Sequence, residues 1–287
     1  MPTTILAGFQ ALRSNLEISG LQASTVSTRQ TNVRGAVEEE FDVLASFVSG
    51  SYSRSTLIAP LKSADIDIFV VLDPKYHAKY SPAGLLDRVR TVLLRTYPKT
   101  PNVSRNGQAV TISFTDFHVD VVPGFYRQGG GYLIPNSITG TWISTNPKQH
   151  DAEVAAANED HAGNLVPLIK MVKGWNRGIS DAFVGFYLEL MTKKILTGIS
   201  ISDLPSGVRY VLERGQSEIR YVIADPAGFG GQVSGLNNVS KVDDAVSRFR
   251  TATGRAKKAE QLAREGKVAL AYDEWRKIFP GYFPAYG

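Results

Sequence analysis

The 287-residue sequence predicts an α+β fold, a mixed sheet in the first half followed by a C-terminal helical domain. Two observations carry this prediction. Segments 65–72, 110–114 and 118–122 alternate and are rich in β-branched residues, with helical periodicity between them. From residue 151 onward the helical period dominates. Strands mixed with helices at these spacings call for a mixed sheet. The division is placed at 160, giving a core of 1–160 that includes the N-terminal helices, and a helical domain of 161–287.

Taken in order, residues 4–17 set Ile5, Leu6, Phe9, Leu12 and Leu16 at helical spacing. A second helix is predicted from Ser27 to Phe47, with Val33, Val37, Phe41, Leu44 and Phe47 or Val48 inward, stopping at Gly50. Asp65–Leu72 is a strand by alternation, ended by Asp73-Pro74. Residues 82–96 form a helix with Leu85, Leu86, Val89, Val92 and Leu93 inward. Val110–Phe114 and His118–Val122 are strands, the second closed by Pro123-Gly124. Residues 124–150, with Gly129-Gly130-Gly131, Pro135 and Pro147, form an ordered connector. Helices follow at about 151–176, 180–197, 202–215 and 240–278. Pro226, Gly228, Gly230, Gly231 and Gly235 mark a long loop at 225–238.

Composition excludes several chemistries. There is no cysteine, hence no disulfide, thiolate zinc site, iron–sulfur cluster or cysteine nucleophile. The four histidines, His77, His118, His150 and His161, show no HExxH or close-pair spacing. Neither GxGxxG nor GxxxxGK[ST] occurs, which removes support for Rossmann and P-loop chemistry. No apolar run reaches the ~18 residues of a bilayer span, and the N-terminus has no basic region leading into an apolar core. The expectation is a cytoplasmic protein. The net charge of +5 is concentrated at the end of the chain. From Arg248 onward nine Lys/Arg stand against four Asp/Glu, and the remainder balances at 23 each. Such a segment is either a solvated helix face or a surface that touches phosphates.

The informative stretch is Gly50-Ser51-Tyr52-Ser53-Arg54-Ser55-Thr56, then Asp65-Ile66-Asp67, then Asp120 on a later strand. Residues i and i+2 of a strand face one side, so Asp65 and Asp67 project together while Ile66, Ile68 and Val70 face the core. Asp120 stands likewise between Val119 and Val121. Three carboxylates from neighbouring strands offer hard oxygen ligands to Mg²⁺, which takes carboxylates plus substrate phosphates. Two ions about 4 Å apart can activate an attacking hydroxyl and stabilise a leaving pyrophosphate. The Gly50-Ser51 turn offers backbone N–H groups and a hydroxyl to a triphosphate, and glycine lets that backbone approach closely. Asp116 and His118 share the parity of Asp120 and flank it, while Tyr132 and Trp142 either stack on a base or pack in the connector.

This pattern resembles the nucleotidyltransferases of the DNA-polymerase-β-like superfamily. The wording of Gly50–Ile58 and Ser63–Phe69 is similar to that of the bacterial cGAS/DncV-like nucleotidyltransferases (CD-NTases) and the related oligoadenylate synthetases. Val119-Asp120-Val121-Val122-Pro123 resembles the family's third-acid strand. Ile134-Pro135-Asn136, Trp142 and Thr145-Asn146-Pro147-Lys148 resemble its connector. Leu168–Asn176 resembles a helix with a lysine two residues before a tryptophan, and Trp275–Pro280 with Phe283-Pro284 resembles the closing segment. Two departures stand out. Gly185-Phe186-Tyr187 replaces a polar residue before an aromatic, and the loop begun by Asp225-Pro226 has a longer glycine-rich continuation.

The resemblance implies a polymerase-β-like core, a helical domain and an active-site cleft between them. It implies metal-binding and catalytic roles for Asp65, Asp67 and Asp120. Gly50 and Ser51 would hold the nucleotide triphosphate, and Lys173 would reach the phosphates. The implied cofactor is Mg²⁺, two ions, with Mn²⁺ as a substitute. The implied activity is synthesis of a cyclic di- or trinucleotide second messenger from NTPs, ATP among them, in bacterial antiphage (CBASS-type) signalling. A separate effector would read the product. A monomer is expected, with no membrane partner and no required nucleic acid. The alternative activity is transfer of a nucleotide to an RNA end or a small-molecule acceptor. A nucleic-acid-binding module with a dead site is the non-enzymatic rival, and the three intact acids argue against it.

Overall fold

The computed structural model describes residues 2–100 and 102–287. In chain order the elements are α1 (Ile5–Asn15), α2 (Gly20–Glu38), β1 (Val43–Ser49), α3 (Gly50–Ser53), β2 (Asp65–Leu72), α4 (Lys75–Lys79), α5 (Pro82–Thr96), β3 (Asn102–Asn106), β4 (Ala109–Ser113), β5 (His118–Tyr126), β6 (Tyr132–Asn136), β7 (Thr141–Thr145) and α6 (Pro147–Asp160). Then come α7 (Leu165–Gly178), α8 (Gly185–Leu196), α9 (Leu204–Glu218), β8 (Ile223–Ala224), β9 (Gln232–Val233), α10 (Val242–Arg264) and α11 (Val268–Ile278). The chain divides into two compact units. One comprises 18–152 with 225–231, the other 1–17, 153–224 and 232–287. The sequence-based division at 160 keeps α1 with the sheet, whereas contacts group it with the C-terminal helices. The ring of Phe9 explains the grouping, because it lies edge-on to Trp275 at 4.7 Å and against Phe283 at 5.3 Å.

The sheet unit has strand order β1-β2-β5-β4-β3, with β6 and β7 extending it from β5. β2 and β5 run parallel and the other pairs antiparallel, so the sheet is mixed as predicted. One face of β2, Ile66, Ile68, Val70 and Leu72, is buried with Val119 and Val121 of β5 under α2 and α5. α5 follows the predicted period, with Leu85, Leu86, Val89, Val92 and Leu93 all buried. It begins on Ser81, whose hydroxyl accepts from Gly84 N–H at 3.1 Å, with Pro82 opening the first turn. On the other face, Phe69 and Val71 pack with Tyr132 and Ile134 of the β6–β7 hairpin. The acids at the start of β2 therefore share a face with an apolar patch at its end.

Three expectations change here. Residues 43–47, predicted as the end of a long helix, belong instead to strand β1. A register shift between Val43 and Ala45 breaks the strand alternation, so Val37, Phe41 and Leu44 fall by coincidence at helical spacing. β5 does not stop at Pro123-Gly124 but runs to Tyr126. The connector folds as the β6–β7 hairpin. Gly124 makes this packing possible: a Cβ there would meet the Phe69 ring at 2.8 Å and the Leu133 carbonyl oxygen at 2.9 Å. Gly124→Ala is expected to cost about 2 kcal/mol in denaturant unfolding, an overpacking effect.

In the helical unit the predicted long helices are interrupted by left-handed residues. Ala162 and Gly163, φ 51° and 79°, separate α6 from α7, and Gly266, φ 74°, separates α10 from α11. Ser180 and Asp181, also at positive φ, delay α8 to Gly185, and the buried Asn176 amide brackets the backbone of Phe183 at 2.9 and 3.0 Å. Among the described residues no helix is long and apolar enough to cross a membrane. Most of the basic C-terminal residues are paired within this unit: Lys257 with Glu213, Lys258 and Lys277 with Glu274, Lys267 with Glu265.

Candidate active site

The register of the parallel pair sets the geometry. Asp67 lies beside Asp120 and Asp65 beside His118, all on the face away from the α2–α5 core. β1 supplies the third side: Ser49 pairs with Asp67, and the next residue, Gly50, turns the chain into α3. Gly50 has φ 72°, and a Cβ on it would stand 1.8 Å from Asp67 Oδ2. The Asp67 carboxylate therefore occupies the space a side chain at 50 would need. After Gly50 the turn is closed by the Ser51 carbonyl, which accepts from Thr56 N–H at 2.9 Å and Leu57 N–H at 3.0 Å. β4 contributes Thr111, opposite Asp120, whose hydroxyl donates to Asp120 Oδ1 at 2.5 Å.

This packing strains the acids. Burial, followed by the charges of Asp120 and Asp65, raises the Asp67 pKa from 3.8 to about 7, against the opposing pull of Arg54. Burial also raises Asp120, while the Thr111 hydrogen bond and His118 act the other way. Among the described residues no group of three or more His, Cys, Asp or Glu is arranged to hold a metal ion by itself. A cation completed by substrate phosphates and water needs no such cage. An enclosed carboxyl facing two other carboxylates, all hard oxygen donors, fits Mg²⁺ or Mn²⁺.

A pH signature follows. In the metal-free protein a carboxyl raised to about 7 makes the folded state hold a proton that the unfolded chain releases near 3.8. Its contribution to stability is present below the unfolded value and is lost as pH rises through about 7. A cation held by that carboxylate would have to displace that proton. The rise in Tm produced by millimolar Mg²⁺ is therefore expected to be small near pH 6 and larger near pH 8, read by thermal melts at about these two values. Equal shifts at both would contradict this electrostatic account.

The other predicted residues separate into those the fold brings to the acids and those it does not. Gly50, Asp65, Asp67 and Asp120 are gathered, with Ser51 one residue along in α3. Lys173 belongs to the helical unit, on α7, where its Nζ lies 3.0 Å from Glu189 Oε1 on α8. That glutamate side chain is 1% exposed and the lysine 13%. Asp116 is engaged by Arg29 at 2.9 Å, with the guanidinium over the Phe114 ring. His118 Nδ1 is enclosed and has no hydrogen-bond partner. Tyr132 packs on Phe47 and Phe69, Trp142 on His77 and Phe125, and Trp175 on Phe183 and Phe249, so the three rings serve packing. Thr111 and Arg54 received no role from the sequence. For Thr111 a signal existed, a polar residue between Val110 and Ile112.

Comparison with known proteins gives the family. A family model described as the Second Messenger Oligonucleotide or Dinucleotide Synthetase domain matches residues 3–158. The chain belongs to this family. It is 30% identical to the cyclic AMP-AMP-AMP synthase of an Acinetobacter species over 297 residues, covering 96% of this chain and 84% of the relative. Among solved structures, CdnC of E. coli MS115-1 with ATP superimposes with a TM-score of 0.71 at 18% identity, covering 98% of this chain and 99% of that one. The apo form of DncV from Vibrio cholerae gives 0.69 at 15% identity, covering 84% and 69%. These likenesses establish the nucleotidyltransferase fold, and the family establishes the class of enzyme: a cyclic oligonucleotide synthase of the CD-NTase type, from a metal-dependent family.

Proposed function

We propose that this synthetase makes a cyclic trinucleotide from ATP, as a second messenger in bacterial antiphage signalling of the CBASS type, read by a separate effector. The observation that carries the choice of ATP and ring size is the 30% identity, over nearly the whole chain, to a cyclic AMP-AMP-AMP synthase. The three converging carboxylates beside the Gly50 turn support the reaction class.

Asp65, Asp67 and Asp120 would hold two Mg²⁺ ions, with Mn²⁺ able to replace them. Bound there, the cations lower the pKa of the attacking ribose hydroxyl and neutralise charge on the phosphates. The turn at Gly50-Ser51 positions the triphosphate with backbone N–H groups and the Ser51 hydroxyl. A ribose hydroxyl of one ATP attacks the α-phosphorus of another, the bond to the bridging oxygen breaks, and pyrophosphate leaves in line. Repetition extends the chain, and a hydroxyl of the terminal ribose then attacks the α-phosphorus at the chain's own 5′ end, expelling the last pyrophosphate and closing the ring.

Incubation with each NTP and with all four, plus Mg²⁺ or Mn²⁺, then phosphatase and mass spectrometry, tests this. ATP alone should give a phosphatase-resistant product of three linked AMP units. A resistant ring of another size or base composition would correct the substrate assignment. Transfer seen only after an RNA or small-molecule acceptor is added would replace it with the other transferase reading.

A further inference from the structure

We infer that Asp151 is a positioning residue for the nucleotide turn, acting through Ser53. This rests on the reading of α3 as the element that receives the triphosphate. α3 is a single helical turn, and an isolated turn does not hold its own shape. Its last residue, Ser53, places its hydroxyl 3.0 Å from the Gly50 carbonyl oxygen and 2.9 Å from Asp151 Oδ1, early in α6. A hydroxyl has one proton, so these two acceptors compete for it. The Gly50 carbonyl already accepts from Arg54 N–H at 3.3 Å. The carboxylate is the stronger acceptor, and the charge-assisted bond goes to Asp151. The effect is to tie the end of the turn to a long helix.

The same short stretch of α6 is itself anchored. His150 Nε2 lies 2.5 Å from Asp225 Oδ1, and Asp225 also accepts from Gly230 N–H at 2.6 Å. Lys148 sits over the ring of Phe47 on β1, 4.8 Å from its centre. Asp151 therefore projects from a segment held by two contacts just before it, which is what a positioning group requires. Without it Ser53 keeps only the local bond to Gly50, and α3 loses its tie to α6.

The test is equilibrium binding of a non-hydrolysable ATP analogue with Mg²⁺ to the full chain, by calorimetry. Ser53→Ala and Asp151→Ala should each weaken binding about tenfold, and the double variant also about tenfold rather than a hundredfold, because both remove one bond. Asp151→Asn retains an acceptor oxygen and should stay within about threefold of wild type. A purely structural role would lower Tm in both Asp151 variants without this coupling or rescue. If Asp151→Ala does not fold, Ser53→Ala with and without Asp151→Asn carries the cycle, and the pair should bind no more weakly than Ser53→Ala alone. Additive losses, or single variants that bind as wild type does, overturn the inference. A wild-type chain that binds no analogue overturns instead the reading of α3 on which it rests.

Discussion

Asp67→Asn is expected to lower turnover by at least about 10³-fold while raising the stability of the metal-free protein. The two effects have one origin. Asp67 sits in the most enclosed position of the three acids, with Asp120 beside it in register and Asp65 two residues away. Burial and those two charges raise its pKa to about 7. Above that value the folded chain carries three carboxylates on one face, only partly offset by Arg54, which costs stability. An amide of the same shape removes the charge and keeps the packing. Melting without Mg²⁺ near pH 8 should then occur at a higher temperature than in wild type, with a difference that shrinks as pH falls through about 7 and closes only near the unfolded value of 3.8. The same substitution removes the proposed cation ligand, so the Tm response to Mg²⁺ should largely vanish. A loss of 10³ corresponds to about 4 kcal/mol of transition-state stabilisation, within reach of one ligand to a catalytic ion. Measured kcat and paired melts decide the matter. More than a tenth of wild-type turnover, or a metal-free protein that melts lower, would show that Asp67 is structural.

What could be read from the sequence follows from how local each signal is. β2 was legible because two signals coincide in Asp65–Leu72: alternation puts the acids on one face, and β-branched residues fill the other. α5 was legible because its apolar residues are all buried on one side and its cap, Ser81-Pro82, is adjacent in sequence. β1 was not, because a register shift near its start takes the alternation out of step. Glycine in β5 read as a stop, although its role is to admit the Phe69 ring from a strand more than fifty residues earlier. The shared face of Asp65 and Asp67 was legible from strand parity, and the Gly50-Ser51 turn and the family resemblance pointed to them and Asp120 as a site. Their company was not, because Thr111 meets Asp120 only through antiparallel pairing. Asp151 reaches Ser53 across 98 residues of chain. Lys173 was visible through the resemblance of Leu168–Asn176, whereas its partner Glu189 lies on the next helix and is almost fully enclosed. Sequence shows which residue types a site uses, and packing decides their partners.

Gly50→Ala should be nearly as damaging to catalysis as the loss of an acid, through a single added methyl group. The added Cβ would stand 1.8 Å from Asp67 Oδ2 and 2.7 Å from its Cγ, well inside contact. Either the carboxylate swings away or the turn retreats, and each outcome separates the acid from the nucleotide turn. The backbone adds a second cost, because φ at 50 is 72°, a region that alanine enters at about 1 kcal/mol or more. A fall in kcat of about 10²-fold or greater is expected, with a stability loss of about 1–3 kcal/mol. Gly35→Ala is the matching control. Gly35 lies within α2 with nothing near enough to meet a Cβ, so alanine there should stabilise the chain by about 0.5–1 kcal/mol and leave turnover unchanged. The comparison separates two reasons for a glycine. If Gly50→Ala kept full activity, Asp67 would have to tolerate displacement of its carboxylate by more than an ångström, and the close packing of turn against acid could not be what positions the reaction.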